Sequence, residues 1–131
     1  MSTAKNPRPT VLVVDDNPDF LHLMDLTLSQ AGYRTLLADS AMAAMDRLEA
    51  EVPGAILLDI MMPVRSGFEF LENLRWDKRF SQVPVVVITA MTPSEEEREF
   101  MAEFAAAQLD KADIPQALEV LKRLLDSGET P

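Results

Sequence analysis

The stretch Val11-Leu12-Val13-Val14-Asp15-Asp16-Asn17-Pro18 changes character twice within a few residues: an apolar run, a pair of acids, then a cap residue and a proline. An apolar run without polar alternation suits a strand covered on both faces. Asn17-Pro18 supplies an N-cap and a first-turn proline, so a helix is predicted to begin directly after the acids. Strand, acidic turn and helix make one βα unit with negative charge at the carboxyl end of its strand. The pattern recurs: short apolar runs stand at 34–38 (Arg34 to Ala38), 55–58 (Ala55 to Leu58), 85–88 (Val85 to Ile88) and, more weakly, 107–109 (Ala107 to Leu109), with stretches of helical period between them.

Each helical stretch carries its own punctuation. Gly32 ends the first, and Asp39 or Ser40 opens a second with Ala41, Ala44, Met45 and Leu48 inward. Ser66-Gly67 opens a third with Phe68, Leu71 and Leu74 inward. Ser94 with Glu97 forms a capping box for the fourth, and Asp113 with Gln116 opens a fifth with Leu118, Leu121 and Leu125 inward. The result is a (βα)5 chain of the α/β class, and strand–helix alternation implies a parallel sheet. Such a chain forms either an open, flavodoxin-like doubly wound sheet in the order 2-1-3-4-5 or, less often, a sheet of another order; in the former, the ligand crevice lies outside the carboxyl ends of strands 1 and 3.

With 131 residues and 47% hydrophobic content, the chain suits one domain, read as residues 10–125 with polar, flexible ends at 1–9 and 126–131. A formal net charge of −10 disfavours nucleic acid and anionic membranes as main partners, because both require a basic surface. There is no cysteine, hence no disulfide framework or thiolate metal site, and no apolar run is long enough to span a bilayer. A soluble, cytoplasmic protein that works through protein partners and cations is expected.

The residues directly after the strands carry the chemistry: Asp15 and Asp16, Asp59, Thr89, and Lys111. In the order 2-1-3-4-5 the first two sets are neighbours, and each pair of carboxylates repels by roughly 4 kcal/mol at about 4 Å and an effective dielectric of about 20. A hard, oxygen-liganded cation offsets this, which points to Mg²⁺ (Mn²⁺ could substitute) and away from zinc. Such a pocket with a lysine and a hydroxyl suits phosphoryl transfer, since each equatorial oxygen of the transferred group needs a positive or hydrogen-bonding partner. The first-strand acids are then metal ligands, and Asp59 is the nucleophile.

These residues resemble the receiver domain of two-component signalling: Asp15-Asp16 after the first strand, Leu57-Leu58-Asp59-Ile60-Met61-Met62-Pro63 with Gly67, Ile88-Thr89-Ala90, and Lys111. The resemblance covers about residues 10–125. It implies that Asp59 is the phosphoacceptor, that Asp16 and Asp59 bind Mg²⁺ directly with the Met61 backbone carbonyl, and that Asp15 acts through water. Thr89 and Lys111 contact the phosphoryl group. The implied partners are a sensor histidine kinase or histidine phosphotransfer protein and a downstream protein target, with no nucleic acid or membrane. The implied protein is a stand-alone signalling domain rather than an enzyme, a monomer or weak dimer. Met61 and Met91 fall where, in receivers, the hydrolytic water passes, so a long-lived phosphoryl group is expected.

Departures from the family pattern concern output. Receivers carry an aromatic residue three positions before the lysine, where this chain has Gln108, and a proline directly after it, where this chain has Ala112. The Lys111–Ala112 bond is therefore expected trans, the ammonium less rigidly held, and the conformational readout different or weaker. A pseudo-receiver acting as a constitutive interaction module is the competing reading. A haloacid-dehalogenase-type phosphatase is disfavoured because it requires an Asp where Met61 stands, and a flavodoxin-like cofactor binder lacks a Gly- or Ser/Thr-rich loop after strand 1.

Overall fold

The computed structural model describes residues 8–62 and 67–127. Strands β1 (Thr10–Val14), β2 (Arg34–Ala38), β3 (Ala55–Asp59), β4 (Val85–Thr89) and β5 (Ala107–Asp110) alternate with helices α1 (Pro18–Gln30), α2 (Ala41–Ala50), α3 (Gly67–Trp76), α4 (Glu95–Phe104) and α5 (Ile114–Ser127). The strands make one parallel sheet in the order β2-β1-β3-β4-β5. Helix α5 runs past the 125 boundary read from the sequence. Residues 1–7 and 128–131, most of the expected flexible ends, lie outside the described residues, as do Pro63 and the Ser66 cap.

Every residue of β1, β3 and β4 is buried, because helices cover both faces of the sheet. Strand side chains alternate between faces. Leu12, Val14, Ile56, Leu58 and Val87 therefore share one core with Leu48, Leu71 and Met101 of α2, α3 and α4. Val11, Val13, Leu57, Val86 and Ile88 share the other with Met24, Leu28 and Leu121 of α1 and α5. The weak apolar signal of β5 reflects its place at the edge, where its side chains are only partly covered.

Four of the predicted caps, those of α1, α2, α4 and α5, are present and fix where these helices leave the sheet. Asn17 Oδ1 accepts the N–H groups of Asp19 (2.9 Å) and Phe20 (3.3 Å). Ser40, rather than Asp39, opens α2 by accepting the Ala43 N–H at 3.1 Å. Ser94 and Glu97 form both bonds of the capping box, and Asp113 Oδ1 accepts the Gln116 N–H at 3.2 Å. Gly32, at φ 98°, closes α1, with its N–H on the Ser29 carbonyl and the Tyr33 N–H on the Leu28 carbonyl. That pair of bonds is the Schellman pattern, which calls for a residue tolerating a left-handed backbone.

Helix α3 differs from expectation in its inward face. Leu71 and Leu74 are buried as read from the sequence, but Phe70 is buried with them, while Phe68 is only partly covered. The helix packs on α4 as well as on the sheet, and Phe68 meets Phe100 edge-on there, ring centroids 5.7 Å apart. Trp76, the last residue of α3, is exposed, and Phe80 in the loop that follows is core. Among the described residues, no helix is long and apolar enough to cross a membrane.

Candidate functional site

The sheet register brings the predicted residues to one edge. Val14 pairs with Leu58, so Asp15 and Asp59 follow at the same level of neighbouring strands. Thr89 pairs with Asp110, which puts Lys111 one residue beyond it. Asp15, Asp16 and Asp59 each hold a carboxylate oxygen within 4.8 Å of the others. Asp15 is fully buried and Asp59 nearly so, while Asp16 is exposed. The Lys111 Nζ lies 2.7 Å from Asp15 Oδ2 and 3.4 Å from Asp59 Oδ2.

Burial pushes the Asp15 carboxyl up from the ordinary carboxylate range, and the Asp59 charge adds to this; Lys111 and the Asn17 N–H, at 2.8 Å from Oδ1, only partly offset it. For Lys111, burial pulls downward, but Asp15 and Asp59 outweigh it, and the side chain keeps its proton to higher pH than an ordinary lysine. Both ends of one ion pair thus shift upward. The asymmetry follows from burial: Asp15 has no exposed surface, whereas 18% of the Lys111 side chain is exposed.

Asp15 Oδ2 is buried and receives no aligned hydrogen bond among the described residues, only the ion pair. Three clustered carboxylates against one ammonium leave a surplus of negative charge in a pocket of oxygen donors. That donor set fits a hard, hydrated divalent cation, and Asp15, Asp16 and Asp59 are the residues to hold it.

Other predicted positions fall around this cluster. Thr89 is buried, and its hydroxyl is turned onto the next loop, accepting the Met91 N–H at 3.1 Å. The Met61 N–H donates to Asp59 Oδ1 at 3.1 Å, orienting the carboxylate. Met61 and Met91 are both exposed. Gln108 points away from the acids, its Nε2 donating to the Arg98 carbonyl of α4 at 3.0 Å. The Lys111–Ala112 bond is trans, as no cis peptide occurs among the described residues. The backbone on both sides of that bond is held: the Lys111 N–H bonds the Thr89 carbonyl at 2.9 Å, and the Ala112 N–H bonds Asp110 Oδ1 at 2.8 Å. No proline could make the second bond.

Three contributors escaped the sequence reading. Asp110 builds the turn under Lys111. Asn17, read only as a cap, also donates to Asp15. Phe20 lays its ring 4.6 Å from the Lys111 Nζ. Its position in the first turn after the acids was the available signal, but contact with a residue 91 positions later requires the fold.

A family model described as the response regulator receiver domain matches residues 11–125. The response regulator Rre1 of Synechocystis sp. is 34% identical over 117 residues, covering 88% of this chain and 51% of that protein. The chain thus spans about half the length of Rre1. The polar-differentiation response regulator DivK of Brucella ovis is 28% identical over 117 residues, 88% of this chain and 95% of DivK. Among solved structures, the Vibrio cholerae chemotaxis protein CheY4 is similar with a TM-score of 0.82 at 29% identity, covering 90% of this chain and 99% of that one.

Proposed function

We propose, because the chain belongs to the response regulator receiver domain family of two-component signalling, that Asp59 accepts a phosphoryl group from the phosphohistidine of a sensor kinase or phosphotransfer protein. The observation that carries this is the cluster itself: Asp59 oriented by the Met61 N–H, flanked by Asp15 and Asp16, with the Lys111 ammonium 3.4 Å from its Oδ2. A carboxylate oxygen attacks phosphorus in line, the P–N bond to histidine breaks, and an acyl phosphate forms.

Asp16 and Asp59, with the Met61 carbonyl, would hold Mg²⁺ directly, and Asp15 would hold it through water. When bound, this ion supplies positive charge to the phosphoryl oxygens. Lys111 already sits beside the nucleophile and serves a second oxygen. The Thr89 hydroxyl must leave Met91 to serve the third. The phosphorylated domain then signals by binding another protein.

The test is incubation with Mg²⁺ and acetyl phosphate, followed by intact-mass analysis. A single acid-stable, base-labile phosphoryl adduct is expected, absent from Asp59→Asn and absent when the metal is chelated. The tether from Gln108 to α4 favours one other reading, a pseudo-receiver that binds its partner constitutively. Absence of any adduct on the unaltered chain would put that reading ahead.

A further inference from the structure

The ammonium of Lys111 has three neighbours rather than two: Asp15 Oδ2, Asp59 Oδ2 and the face of the Phe20 ring, with Nζ 4.6 Å from the ring centroid. We infer that Phe20 is a positioning residue that holds Lys111 toward Asp59 through a cation–π contact. This inference rests on the reading of Asp59 as phosphoacceptor.

A lysine carries its charge on a flexible four-carbon stem, so a fixed backbone does not fix the ammonium. The Asp110 turn settles only the Lys111 backbone. Of the two carboxylates, Asp15 is the nearer by 0.7 Å (3.4 − 2.7), so attraction alone draws Nζ toward the buried acid and away from the nucleophile. The ring supplies a third wall whose negative face attracts the cation without accepting any of its protons. All donor hydrogens therefore remain available for carboxylate and phosphoryl oxygens.

The ring is itself well placed. Asn17 Oδ1 accepts the Phe20 N–H, and the Asn17 N–H binds Asp15 Oδ1. The same short segment thus sets the carboxylate and the ring that face Lys111. Phe20 also packs against the core on the α1–α5 side of the sheet, which fixes its orientation.

The experiment compares Phe20→Leu, which keeps an apolar side chain without a ring face, with Phe20→Tyr, which keeps the face. In Phe20→Leu the maximal rate of Asp59 phosphorylation by acetyl phosphate at saturating Mg²⁺ should fall by about twofold to thirtyfold. The midpoint of Mg²⁺ binding should not move, and Phe20→Tyr should stay close to the unaltered protein. Independently of any phosphodonor, the Lys111 Cε protons should show an upfield ring-current shift by NMR, lost in Phe20→Leu and kept in Phe20→Tyr. The inference is overturned if the leucine variant phosphorylates at the unaltered rate. It is equally overturned if leucine and tyrosine variants slow alike, which would mark packing alone, or if the unaltered protein shows no ring-current shift. Failure of the unaltered protein to take any phosphoryl group would instead remove the reading of Asp59, while the NMR shift would still decide whether the ring holds the lysine.

Discussion

A carboxylate with no exposed surface is costly to a fold unless something repays its lost hydration. Asp15 is such a group, and its upward shift says that its partners do not fully repay it. The sign of the linkage follows. A carboxyl whose folded pKa is raised favours the native state while it is protonated, at pH below the ordinary carboxylate range. That advantage is lost as pH rises from the unfolded value through the folded one, so at neutral pH Asp15 opposes folding. Lys111 works the other way: its raised pKa contributes stability throughout neutral pH, lost only in the strongly alkaline range. Replacing Asp15→Asn keeps an oxygen for the Asn17 N–H and removes the charge. The melting temperature without Mg²⁺ should therefore rise, while the extra stabilisation on adding Mg²⁺ should shrink. Thermal melts of both proteins with and without the metal decide this, and a variant that melts lower in the absence of metal would contradict it.

At the scale of elements, two glycines separate stability from site geometry. A Cβ on Gly67 would lie 2.6 Å from Ile60 Cα and 2.8 Å from the Asp59 carbonyl oxygen. Both are backbone atoms of the segment that carries the nucleophile, so neither can rotate aside. Gly67→Ala should cost about 1–3 kcal/mol or more, and should also slow phosphorylation by displacing Asp59. Gly32, at φ 98°, has open space around its Cβ position, so Gly32→Ala should cost about 1–2 kcal/mol of backbone strain. It lies before β2, at the amino end of the strands, and phosphorylation by the folded fraction should be unchanged. Urea titrations paired with acetyl phosphate kinetics check both, and equal kinetic effects of the two substitutions would sink the distinction. The elements themselves were legible because unbroken apolar runs, caps and Gly32 are local signals. The inward face of α3 was not, since Phe68 and Phe70 are equally apolar and only the neighbouring α4 assigns one to each surface. Asp15, Asp16, Asp59 and Lys111 were legible as a set because strand order alone brings strand ends together. Asn17 and Asp110 act only two residues along the chain, as turn formers whose tie to the site shows once the strand ends meet, whereas the contact of Phe20 with Lys111 spans the chain and requires the fold.

Across the whole molecule, the proposed signal at Asp59 has to reach a surface another protein can read, and Thr89 borders a pocket that extends to α4. A cavity of about 250 Å³ lies there, lined by Thr89, Met91, Pro93, Arg98, Gln108 and Asp110. Gln108 spans its far side, donating from β5 to the Arg98 carbonyl in the middle of α4, while Arg98 Nη1 reaches back to the Pro93 carbonyl at 3.3 Å. Departure of the Thr89 hydroxyl from Met91 would unsettle the loop that leads into α4, but the Gln108 bond resists any movement of the helix itself. One such bond contributes about 1 kcal/mol, which corresponds to about fivefold in the equilibrium for local opening. Gln108→Ala should therefore speed amide hydrogen exchange in α4 by about that factor before any phosphorylation. Addition of acetyl phosphate and Mg²⁺ should then change α4 exchange more in the variant than in the unaltered chain, because the restraint has gone. Identical α4 exchange in the two proteins, with and without the phosphodonor, would show that Gln108 does not damp the movement and that the relay leaves the site by another path.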